Sequence, residues 1–300
     1  MKDLISIAEL TSEDIQSLIK SAIELKQGGR KPLLEGRTLA LIFEKPSLRT
    51  RVSFDVAMSQ LGGHALMLSP AEVGLGEREP IADAARVLSR YVDGIVARTF
   101  AHQSVVLLAR YATVPVINGL SDEEHPCQVL SDLLTIYEKK GGLEGLTVAY
   151  IGDANNVANS LLLACSLMGI EFRIASPKGY GPKGEVLSQA RKTRKNGGQI
   201  LVSEDAKQAA RGADVVYTDV WTSMGQEAEA KRRRAAFARY QVNEELLSLA
   251  KGGAIFMHPL PAHHGEEIAE GLLESPQSVV FDQAENRLHM QKAILVKLLP

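Results

Sequence analysis

Along this chain short apolar runs alternate with segments whose apolar residues recur every three or four positions. The runs at 38–43, 65–68, 94–97 and 114–117, and in the second half at 147–151, 171–175, 199–202, 214–218, 254–257 and 278–282, predict buried β-strands. Helical spacing predicts helices near 50–61, 81–91, 103–111 and 126–140, others between the later strands, and a last one at 285–298. An opening helix is signalled by Thr11 with Asp14 three residues on, followed by Ile15, Leu18, Ile19, Ala22 and Ile23 on one face. Alternation of this kind predicts an α/β fold of two domains, each a mostly parallel sheet with helices on both faces. The run KKGGLEG at 139–145 breaks the pattern with charge and three glycines, which puts the expected domains at 1–140 and 146–284.

In such sheets ligands bind beyond the carboxyl ends of the strands. That filter selects 44–51, 98–102, 152–156, 219–225 and 258–265, with HPCQ at 125–128 opening a further helix. Composition then narrows the chemistry. The 300 residues carry 34 Lys and Arg against 36 Asp and Glu, a net charge of −2, so no nucleic-acid or membrane surface is expected and any anion site must be local. No apolar run approaches the roughly 18 to 20 residues of a membrane span. Two cysteines, Cys127 and Cys165, and a start without the basic-then-apolar plan of a secretory signal predict an intracellular, cytoplasmic protein with free thiols.

In FEKPSLRTR at 43–51, Ser47 to Thr50 can form the first turn of a helix, where unpaired amides favour an anion and Arg49 can grip a phosphate with two bonds. Surface salt bridges from Arg49 and Arg51 are the bland alternative. Arg98 ends an apolar run and suits a phosphate or carbonyl ligand, or an ion pair. In HPCQ, His125 can donate to a carbonyl oxygen and Gln128 accept from an amide NH2, unless His125 merely caps the helix and Gln128 is solvated. GDANN at 152–156 lacks the G-x-G-x-x-G dinucleotide fingerprint; Asp153, Asn155 and Asn156 are either caps or contacts to a zwitterion. DVWTSMG at 219–225 offers Asp219 to an ammonium group, with Ser223 nearby, whereas Trp221 reads as core. HPLPAHHGEE at 258–267 holds three histidines, but without H-E-x-x-H spacing or a cysteine cluster no metal is expected; its prolines aim the Leu260 carbonyl at a ligand NH2. KRRR at 231–234 follows Glu227 and Glu229 on an apparent single helix, so it reads as paired surface charge.

The order of these segments, together with ENRLHMQKA at 285–293, resembles the transcarbamylase family, most nearly its ornithine carbamoyltransferases, almost end to end. The resemblance implies two α/β domains with the final helix, 285–300, returning to the first, and assembly as homotrimers. It assigns carbamoyl phosphate to Ser47, Leu48 through its backbone, Arg49, Thr50, Arg98, His125, Gln128, Leu260 through its carbonyl and Arg287. It assigns ornithine to Asn156, Asp219, Ser223 and Met224, with catalysis expected of Arg49, Arg98, His125 and Asp219 and no cofactor. The chain departs from the family at Pro259, where ornithine enzymes usually carry cysteine. That keeps putrescine, N-acylornithine or aspartate as alternative acceptors; a catalytically silent carbamoyl phosphate-binding protein is a reading of another class. At 72–79 Gly74 stands where many relatives have glutamine, and no ligand contact is assigned there.

Overall fold

The structure, a computed structural model, describes residues 1–69, 73–76, 78–195 and 198–299; Glu72 and Glu77 of the segment just mentioned lie outside them. The chain divides into two compact units, Met1–Leu134 with Glu285–Pro300, and Thr135–Ala284.

The first unit is built on four parallel strands, β1 (Thr38–Phe43), β2 (His64–Leu68), β3 (Gly94–Arg98) and β4 (Val116–Leu120), in the order β2-β1-β3-β4. Residues 39–43 and all of β3 are buried, as expected of runs that show no alternation. β4 starts two residues later than the run at 114–117 predicts. Pro115 has no N–H to give a ladder, although its carbonyl still accepts from the Ile95 amide. Helix α1 (Ser12–Gln27) begins with a capping box between Thr11 and Asp14, and its buried face carries Ile15, Leu18, Ile19 and Ala22. The unit also holds α2 (Leu48–Gln60), α3 (Ile81–Leu88), α4 (His102–Tyr111), the first turns of α5 (Pro126–Lys140), and most of the final helix, α11 (Val280–Leu298). The carboxyl-terminal helix joins this unit through polar bonds: Lys292 Nζ donates to the Leu25 carbonyl and Gln60 Oε1, and Lys297 pairs with Asp14.

The second unit has five parallel strands, β5 (Thr147–Ile151), β6 (Glu171–Ala175), β7 (Ile200–Ser203), β8 (Val215–Tyr217) and β9 (Ile255–Met257), in the order β7-β6-β5-β8-β9. Between them run α6 (Asn156–Met168), α7 (Gly184–Thr193), α8 (Ala206–Ala210), α9 (Ala230–Phe237) and α10 (Glu244–Leu247). Its core includes Ile151, Val216, Trp221, Phe237 and Phe256. The predicted strand at 278–282 is not one. Ser278 makes a single bridge to Phe256, then Val280 opens α11, because an apolar run of Val279, Val280 and Phe281 fits a helix start as well as a strand. Nor do Glu227 and Glu229 share a helix with KRRR; they form a separate 3-10 turn, Glu227–Glu229, ahead of α9.

In each sheet the chain order reverses once, between β1 and β3 in the first unit and between β5 and β8 in the second. The segments leaving those strands are therefore neighbours at the topological switch point, where open α/β sheets place their ligands. No helix among the described residues is long and apolar enough to cross a membrane.

Candidate active site

In the first unit β1 leads into Ser47, the N-cap of α2, whose hydroxyl accepts from the Thr50 amide at 3.2 Å. Its neighbour across the switch point is Arg98, the last residue of β3, in register with Phe43. Arg98 is 5% exposed, and its side chain makes no hydrogen bond or ion pair among the described residues; its Nε is buried without a partner. Burial, then the charges of Arg287 and Arg49, hold its guanidinium down to about 10. His125, just before α5, is buried beside the same cations. Burial and then Arg287, Arg98 and Arg49 hold its imidazole well below the ordinary histidine range, so at neutral pH the ring is an uncharged hydrogen-bond donor. Lys45 is buried too, with Nζ 4.4 Å from the centre of the Phe100 ring.

Arg287 of α11 completes this group. Its Nη1 donates to Gln128 Oε1 at 2.7 Å and its Nη2 to Thr50 Oγ1 at 2.9 Å, so one guanidinium ties α2, α5 and α11 together. Gln128 in turn donates to Asp132 at 2.9 Å. Gln128 is thus buried and bonded rather than solvated. Arg51 faces solvent, whereas Arg49 is half-buried and Leu48 is exposed at the helix start. Cys127 is no nucleophile: burial pushes its thiol up to about 12, and Sγ donates to the Asn118 carbonyl.

In the second unit the paired segments follow β5 and β8. Gly152, at φ 141°, turns the chain close to Thr218 and Asp219, where a Cβ would lie 3.5 Å from Thr218 Oγ1. Asn155 caps α6: its Oδ1 accepts from the amides of Val157 and Ala158 at 3.0 and 3.1 Å and from the Tyr150 hydroxyl at 3.3 Å. Its Nδ2 donates to Asp219 Oδ2 at 2.7 Å, while the Val220 amide donates to Asp219 Oδ1 at 2.8 Å. Burial pushes the Asp219 carboxyl up, opposed first by His258. Asn155 is the residue the family resemblance left out; its signal was present in the sequence, as a capping side chain beside an Asp-bearing strand end. Asn156 accepts from the Val157 amide at 3.0 Å. Ser223 is half-buried, with its amide donating to Gln226 Oε1, and Met224 is exposed. Trp221 is core, stacked on Phe237.

Leu260 has φ 57°, and its amide donates to His258 Nδ1 at 2.9 Å, which places the ring proton on Nε2, 3.3 Å from Glu267 Oε1. The Leu260–Pro261 peptide is cis. Among the described residues, His263, Glu266 and Glu267 bring ligand atoms within 4.8 Å of one another, as a metal site would. Glu266 is, however, paired with Arg234 at 2.8 Å, and Glu267 Oε1 accepts from the His263 amide and lies 3.3 Å from His258 Nε2, so each carboxylate already has a partner on one oxygen.

Comparison with known proteins matches both halves. Residues 2–138 fit the family model described as aspartate/ornithine carbamoyltransferase, carbamoyl-P binding domain, and residues 144–298 fit the Asp/Orn binding domain of the same family. An ornithine carbamoyltransferase of Anoxybacillus flavithermus is 55% identical over 99% of this chain and 96% of its own length. The anabolic ornithine carbamoyltransferase of Pyrococcus furiosus is 53% identical over 98% of this chain and 95% of its own. A solved structure of ornithine carbamoyltransferase from Pyrococcus furiosus superimposes with a TM-score of 0.96 at 52% identity, covering 99% of this chain and 97% of that one. With two parallel sheets, strand-end cations in one unit and a capped carboxylate in the other, the chain belongs to the aspartate/ornithine carbamoyltransferase family.

Proposed function

We propose that this protein is an enzyme that transfers the carbamoyl group of carbamoyl phosphate to the side-chain amine of L-ornithine, giving L-citrulline and phosphate. The observation that carries the reading is Arg98, a buried guanidinium beside Arg287 and Arg49 with no carboxylate paired to it among the described residues. A buried guanidinium set beside two further cations, with no carboxylate of its own among the described residues, is complementary to an anion supplied from outside.

The amine attacks the carbonyl carbon, a tetrahedral intermediate forms, and phosphate leaves. On this reading Arg49, Ser47, Thr50 and the Leu48 amide take the phosphate, while Arg98 and the neutral His125 donate to the carbonyl oxygen as charge develops on it. Arg287 and Gln128 brace that group and contribute to binding carbamoyl phosphate, and the Leu260 carbonyl accepts from its NH2. Asn156, Asp219, Ser223 and Met224 bind ornithine, with Asp219 holding an ammonium group. The protein is further proposed to act in the cytoplasm as a homotrimer.

The test is ureido product formation from carbamoyl phosphate with L-ornithine, N-acetyl-L-ornithine, putrescine and L-aspartate as competing acceptors. Strong preference for L-ornithine is the expected result. Preference for another acceptor overturns the ornithine assignment, and no product with any overturns the enzyme reading. Because the attacking amine, with an unperturbed pKa of about 10, must lose a proton first, turnover is expected to rise from neutral to alkaline pH. A flat profile there would remove that step.

Asn155 separates two contributions. Asn155→Ala is expected to lower the thermal midpoint by about 2–4 °C, through loss of a cap worth about 1 kcal/mol, and to raise KM for ornithine. Asn155→Ser restores the cap but not the bond to Asp219, so the midpoint recovers while KM stays high. Thermal melts and initial rates on both variants decide it.

A further inference from the structure

Arg233 lies in KRRR and pairs with Glu229, but it is buried rather than surface charge. Its side chain is 8% exposed, whereas that of its neighbour Arg232 is 69% exposed. One nitrogen, Nη1, lies 3.0 Å from Asp153 Oδ2 and also donates to the Trp221 carbonyl at 3.0 Å; Nε donates to Glu229 at 3.1 Å. The guanidinium carbon sits 5.1 Å from the centre of the Tyr180 ring. Tyr180 in turn accepts from the Ala154 amide through its carbonyl at 3.0 Å, and the Asn155 amide donates to the Asp153 carbonyl at 2.8 Å.

These partners come from the segments that follow β5, β6 and β8, and from the turn before α9. Two of those segments carry the acceptor chemistry: Asp153 is two residues before Asn155, and Trp221 is two residues after Asp219. Arg233 bonds to neither Asn155 nor Asp219, yet it is tied to both of the loops whose alignment sets the 2.7 Å bond between them. A planar guanidinium with directed donors is suited to bracing several backbone segments at fixed angles, which a lysine ammonium does less well. Burial holds the Asp153 carboxyl up at about 6, against the lowering by Arg233, so near neutral pH the pair is still ionised.

We propose that Arg233, paired with Asp153, is a positioning residue for the amino-acid acceptor: it aligns the loops after β5 and β8 so that Asn155 and Asp219 meet ornithine together. The inference rests on the functional reading above and names a residue outside its set of contacts. Its signature is selective. If loosening the loops leaves the competent arrangement populated in roughly 3–10% of molecules, the apparent KM for the acceptor rises about 10- to 30-fold. Carbamoyl phosphate, assigned to residues of the first unit and to the Leu260 carbonyl but to neither of these two loops, is unaffected on this argument.

The test is steady-state kinetics on the full-length protein and on Arg233→Met, Arg233→Lys, Asp153→Asn and the Arg233→Met/Asp153→Asn double variant, varying each substrate with the other saturating. The expected result is KM for L-ornithine raised about 10- to 30-fold in Arg233→Met and Asp153→Asn, less in Arg233→Lys, and no further in the double variant. KM for carbamoyl phosphate should stay within about twofold and kcat at saturating ornithine within about threefold. If Arg233→Met does not fold, Arg233→Lys and Asp153→Asn carry the decision. Unchanged KM for ornithine in the folded variants overturns the proposal, and so does a rise shared equally by both substrates. Parent protein that forms no product with ornithine overturns the functional reading itself, a failure visible before any variant is measured.

Discussion

Arg98→Met is expected to lower kcat by on the order of 10²- to 10³-fold while the thermal midpoint stays unchanged or rises. The two halves of this expectation have one cause. Arg98 is buried, and burial together with Arg287 and Arg49 brings its guanidinium down to about 10, so the fold is working against its charge. Removing that charge relieves repulsion and leaves no partner stranded, because the side chain has no hydrogen bond or ion pair among the described residues. What is lost, on the proposed assignment, is a donor to the carbonyl oxygen and phosphate as negative charge develops there, and such donors are worth about 2.7–4 kcal/mol of barrier. Initial rates at saturating substrates and a calorimetric melt check both halves. Near-normal turnover removes Arg98 from its proposed role, and a lower midpoint shows that it supports the fold instead. Arg98→Lys should recover little, since a point charge does not reproduce a planar fork.

The second large effect is expected at Asp219. Asp219→Asn should lower kcat/KM for ornithine by on the order of 10²-fold and leave KM for carbamoyl phosphate within about twofold. The carboxylate accepts from Asn155 Nδ2 on one oxygen and from the Val220 amide on the other. An asparagine has a single acceptor oxygen, so whichever way its amide is turned, a donor faces a donor, and the charge proposed to hold an ammonium group is gone. Acidification works in the same direction. Burial raises the Asp219 carboxyl, so it takes up a proton at higher pH than an exposed aspartate, and KM for ornithine is expected to climb on the acid side. Kinetics that vary ornithine across pH for parent and variant settle it: an unaltered kcat/KM in Asp219→Asn would remove the carboxylate from acceptor binding.

Much of the architecture was legible in order. The strand runs and the helical segments between them correspond closely to observed elements, because a run without alternation marks a strand buried on both faces. Failures came where two local rules compete. Val279, Val280 and Phe281 read as a strand but begin a helix, and Pro115 delays a strand whose apolar run had already started. The glycines at 141 and 142 fall in the gap between the two family matches, 2–138 and 144–298, while the compact units divide a few residues earlier, between Leu134 and Thr135 inside α5.

Polar side chains at element ends were legible as well, for Arg98 and Asp219 end or follow apolar runs and His125 precedes a helix, places open to a ligand, a cap or an ion pair. Burial was not. Arg233 and Arg232 are adjacent and chemically identical, and only packing puts the first against Asp153 and Trp221 while the second stays at the surface. Arg287 finds Thr50 and Gln128 from 237 and 159 residues away, distances over which no local pattern carries information. By itself the sequence determined the elements, their parallel grammar and the polar groups at the strand ends, because these follow from side-chain periodicity and turn chemistry. The lateral order of the strands belongs to tertiary structure alone. An apolar run is equally buried at any interior place in a sheet, and only the reversal between β1 and β3, and between β5 and β8, makes neighbours of the loops that hold the proposed site.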